Sequence, residues 1–139
     1  MNKEEAFLCC MILSCASDGN FEKVEASTLL TISSRFPIFK KLPKSLSLII
    51  EEVKARVAND KTEDYLLKDI SVSLSKNDRE VALVFATIMI FIDGTINEKE
   101  KLFLSKLSSF LEIDDERFDA LTYPFAICYE ENNIMDVLS

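Results

Sequence analysis

Histidine and tryptophan are absent from this chain, and glycine and proline are scarce, with two and three copies. Without histidine there is no Ser/His or Cys/His nucleophile pair, no imidazole metal ligand and no ordinary acid/base group near neutral pH. A sheet joined by hairpins would need more turn formers, so the shortage of breakers points to helices linked by short connections. No CxxC pair occurs among Cys9, Cys10, Cys15 and Cys128, which removes the usual zinc-knuckle and redox motifs. The expectation is buried, reduced thiols acting as small hydrophobes, in a cytoplasmic protein. The uncharged stretch 81–92 is too short to span a bilayer. Residues 6–16 are apolar, but Glu4 and Glu5 spoil the positive region a secretory signal would need.

What is present is a hydrophobic fraction of 48%, enough for a single core in 139 residues, so residues 1–139 are expected to form one domain. Twenty-four acidic residues oppose sixteen basic ones, giving a net charge of −8. Such a field repels phosphate backbones and anionic lipid, which disfavours binding to nucleic acid or to a membrane surface and leaves cations or basic protein surfaces as complements.

The chain repeats itself. Asp18-Gly19-Asn20-Phe21-Glu22-Lys23-Val24-Glu25 matches Asp93-Gly94-Thr95-Ile96-Asn97-Glu98-Lys99-Glu100, 75 residues later, and the two glycines of the chain both belong to this motif. Each copy follows an apolar helix-length run (6–17 and 81–92) and precedes an amphipathic one (22–36 and 97–111), so the repeat units span about 6–36 and 81–111. Glycine after a helical run suits the left-handed residue that ends a helix. An apolar residue then precedes a cap, and an acid follows three positions later, as in a capping box. Asn97 with Glu100 makes the better box, because Glu22 is a poor cap.

Helical spacing also marks 43–59, through Leu46, Ile49, Ile50, Val53 and Val57, and a helix capped by Thr62 that carries Leu66, Leu67, Ile70 and Leu74. The acidic residues 114–116 begin a last helix with Phe118, Leu121, Phe125 and Cys128 on one face, which Pro124 is expected to kink or shorten. Pro37 and Pro43 bracket a turn over 36–44. The fold expected is all-α, about seven helices, with two helix–Asp-Gly–helix repeats around two central apolar helices that must be enclosed by the others.

Chemically, the motif shares its last eight positions with a calcium-binding EF-hand loop, D-G-x-I-x-x-x-E. The remaining ligand positions hold Ser14 and Ala16 in one copy and Met89 and Phe91 in the other, so neither copy is a true EF-hand. Serines at 45, 47, 71, 73, 75, 108 and 109 are expected on polar helix faces, without a G-x-S-x-G elbow, and no pair of carboxylates is set in an evident pocket. An enzyme is therefore not expected.

Two copies of this motif, each between an apolar and an amphipathic helix in a short acidic chain, resemble the TerB-like domain of tellurite-resistance proteins. The likeness covers about residues 3–129 and is closest in Ile92-Asp93-Gly94-Thr95-Ile96-Asn97-Glu98-Lys99-Glu100. It implies a non-enzymatic helical module in a tellurite or stress-response context, working with protein partners in a larger assembly. It also implies a divalent cation such as calcium as cofactor, held by Asp18, Glu25, Asp93 and Glu100. The alternative is a cytoplasmic interaction scaffold whose Asp-Gly turns are purely structural.

Overall fold

The computed structural model describes residues 1–17, 20–21, 26–42, 45–57, 60–92 and 96–129. These form seven α-helices: α1 (Lys3–Cys15), α2 (Ala26–Ser33), α3 (Leu46–Arg56), α4 (Asp60–Ser73), α5 (Lys76–Phe91), α6 (Glu98–Phe110) and α7 (Asp115–Tyr129). A short 3-10 helix, Pro37–Lys41, lies between α2 and α3. No strand occurs among the described residues, so the all-α class holds.

Short polar side chains set most of the helix starts. The Asn2 side chain accepts the Glu5 N–H at 2.9 Å, so α1 begins before the apolar run rather than with it. Ser45 and Ser75 cap α3 and α5 by accepting the N–H groups of Leu48 and Asp78, both at 3.2 Å. Asp114 caps α7, its carboxylate accepting the Arg117 N–H at 2.8 Å. Thr62 does not cap α4, which is already helical at Asp60. α2 stops at Ser33, short of Phe36, because the chain must turn there to enter the 3-10 helix at Pro37, whose fixed φ suits a first helical position.

α1 and α5 form the centre. Every residue of α1 from Ala6 to Ser14 is buried, and α5 buries Ala82, Leu83, Phe85, Ala86, Thr87, Met89, Ile90 and Phe91. The two helices pack extensively on each other; α3, α4, α6 and the 3-10 helix cover α1, and α6 and α7 cover α5. Hydroxyls inside this core are satisfied within their own helices, Ser14 donating to Cys10 O at 2.7 Å and Thr87 to Leu83 O at 2.8 Å.

An aromatic cluster ties the 3-10 segment to this centre. The Phe85 ring lies 5.5 Å from Phe7, 5.1 Å from Phe39 and 5.0 Å, edge-on, from Phe36. Pro124 sits inside α7 without shortening it, the helix running on to Tyr129. Of the four thiols, Cys9 and Cys10 are buried, Cys15 is half-buried and Cys128 is exposed, so burial does not extend to all of them.

Candidate functional site

Three of the four acids nominated by the repeat, Asp18, Glu25 and Asp93, lie outside the described residues; Glu100 is described. The second copy resolves into helix-start chemistry at its end. The Asn97 side chain accepts the Glu100 N–H at 2.9 Å, and Glu100 Oε1 accepts the Asn97 N–H at 2.9 Å. This reciprocal pair satisfies two of the donors that the start of α6 leaves without helical partners. Ile96 before it and Phe21 in the first copy are each half-buried against the core.

The side chains at the remaining EF-hand ligand positions point inward. Met89 and Phe91 are 4% and 8% exposed within the core, Ala16 is buried, and Ser14 spends its hydroxyl proton on its own helix. Calcium takes six to eight oxygens at about 2.3–2.6 Å, and helix-internal apolar residues at two loop positions cannot supply them. Among the described residues, no three cysteine, aspartate or glutamate side chains group closely enough to hold a metal ion.

The densest described polar network lies at the opening turn of α5. Arg79 donates through Nε and Nη2 to Ser71 O, at 3.1 and 2.9 Å, and through Nη1 to Glu112 at 3.3 Å. Next to it, Glu80 receives both Nε and Nη2 of Arg117, at 2.9 and 2.7 Å. That hydrogen bonding holds the Glu80 carboxyl below the ordinary glutamate range. The cleft here, about 350 Å³, is also lined by Lys76 and Asp114. Its arginines are committed to carboxylates and a carbonyl, so it fastens α4, α5 and the α6–α7 turn together. Nothing in the local sequence announces these partners, which are 33 and 37 residues apart for the two ion pairs.

Glu112 carries the other local irregularity. Its φ is 57°, in the left-handed region where glycine is usual. Ile113 N–H donates to Ser108 O at 3.0 Å and Glu112 N–H to Ser109 O at 3.1 Å, which closes α6 in a Schellman motif with glutamate in the glycine place. The serines differ from expectation too. Ser71 and Ser108 are buried, Ser108 donating to Ile113 O at 3.2 Å, and Ser45 and Ser75 serve as caps.

Two surfaces remain open. A groove of about 570 Å³ between α1, α3 and α4 has Cys9, Ile49, Val53 and Leu66 at its base, and the Arg56–Asp69 pair at 2.6 Å lies among its lining. α7 packs on α5, with Phe125 stacked at 6.5 Å on Phe91, yet none of its described side chains is fully buried. Val72, Leu102 and Tyr123 are large apolar side chains more than 60% exposed. Among the described residues no helix is long and apolar enough to cross a membrane. Comparison with protein-family models, curated proteins and solved structures finds no match for this chain.

Proposed function

We propose that this chain is a non-enzymatic, TerB-like helical module that acts in the cytoplasm by docking to protein partners, its Asp-Gly turns serving to join helices. The observation that carries this reading is the reciprocal Asn97–Glu100 capping box, which accounts for an acid at that spacing by helix-start chemistry alone. The net charge of −8 complements a basic partner, and Val72 on α4, Leu102 on α6 and Tyr123 on α7 are exposed apolar side chains that such a partner would cover. Affinity capture from cells should return a protein whose retention drops when Val72, Leu102 and Tyr123 are each replaced by glutamate, with helical content by circular dichroism unchanged. If nothing is retained beyond what an unrelated acidic domain retains, and light scattering finds only monomer, the docking reading is overturned.

A second reading is favoured by the recurrence of both carboxylates in both motifs: a divalent cation held near the Asp-Gly turns by Asp18, Glu25, Asp93 and Glu100, in a tellurite or stress-response setting. Calorimetric titration with calcium chloride, then magnesium chloride, should give a saturable signal that Asp18→Asn with Asp93→Asn abolishes. A flat titration at millimolar ion ends this reading and leaves the docking one standing.

A further inference from the structure

We draw no further inference here: the strongest candidate, the groove between α1, α3 and α4 floored by Cys9, Ile49, Val53 and Leu66, is lined by charges of both signs, so its chemistry selects no occupant, and nothing in the structure shows what covers it.

Discussion

Glu112 holds the backbone in a conformation that costs a non-glycine residue about 1 kcal/mol. Its compensation is the contact with Arg79, an ion pair whose glutamate side is 78% exposed and therefore worth less than about 1 kcal/mol. Glu112→Gly is accordingly expected to leave the protein as stable as before or to raise stability by up to about 1 kcal/mol in urea unfolding. Glu112→Val, β-branched at a positive φ, should lower it by more than about 1 kcal/mol. Equal losses for both variants would show that the Arg79 contact, and not the backbone, governs this residue. The thiols give a second test at this scale. Burial pushes the Cys10 thiol far above the ordinary cysteine range, with the neighbouring Cys9 adding to the effect, whereas Cys128 is exposed. A maleimide should label Cys128 first, and Cys9 and Cys10 only after denaturation, as read by peptide mass spectrometry. Native labelling of Cys10 at the rate of Cys128 would contradict the burial of α1.

Among the helices, α7 buries its described side chains least. It carries no fully buried described side chain, and proline in its interior removes one helical hydrogen bond. Because Pro124 is exposed, replacing it leaves the core untouched. Pro124→Ala should therefore stabilise the protein by about 1–3 kcal/mol, with the gain appearing as slower hydrogen exchange in residues 120–129. No gain would mean that α7 has relaxed its ladder around the proline. The caps belong to this scale as well: Asn2, Ser45, Ser75, Asn97 and Asp114 each bind an N–H three residues on, the reach of a short polar side chain across one turn. Their spacing made the α6 start legible beforehand. It is less legible at α3 and α5, where serine also suits an exposed helix face.

For the molecule as a whole, stability rests on the pairing of α1 with α5. Leu83 is fully buried on α5, so Leu83→Ala should cost about 3–4 kcal/mol. Against a total of about 5–15 kcal/mol for a domain, that is a large share, readable as a shifted urea midpoint at unchanged slope. Leu102→Ala, at a site 67% exposed on α6, should stay within about 0.5 kcal/mol of the parent. A comparable loss at both positions would mean that Leu102 is covered in solution by another copy or a partner.

Much of this architecture was determined by the sequence itself. Runs of apolar residues without a polar face demand enclosure, apolar side chains at helical spacing demand a one-sided cover, and Asn97 followed by Glu100 demands a helix start; each follows from interactions within a few residues of chain. The tertiary structure decided what depends on which faces meet. Ser71 and Ser108 are buried, Cys128 lies open, Arg79 reaches Glu112 and Arg117 reaches Glu80, because helices distant in sequence come together there. The left-handed turn at Glu112 is closed locally, by bonds back to Ser108 and Ser109, but no glycine marks it in the sequence. Local chemistry is written in neighbouring residues, whereas depth and long-range pairing arise only when the chain has folded on itself.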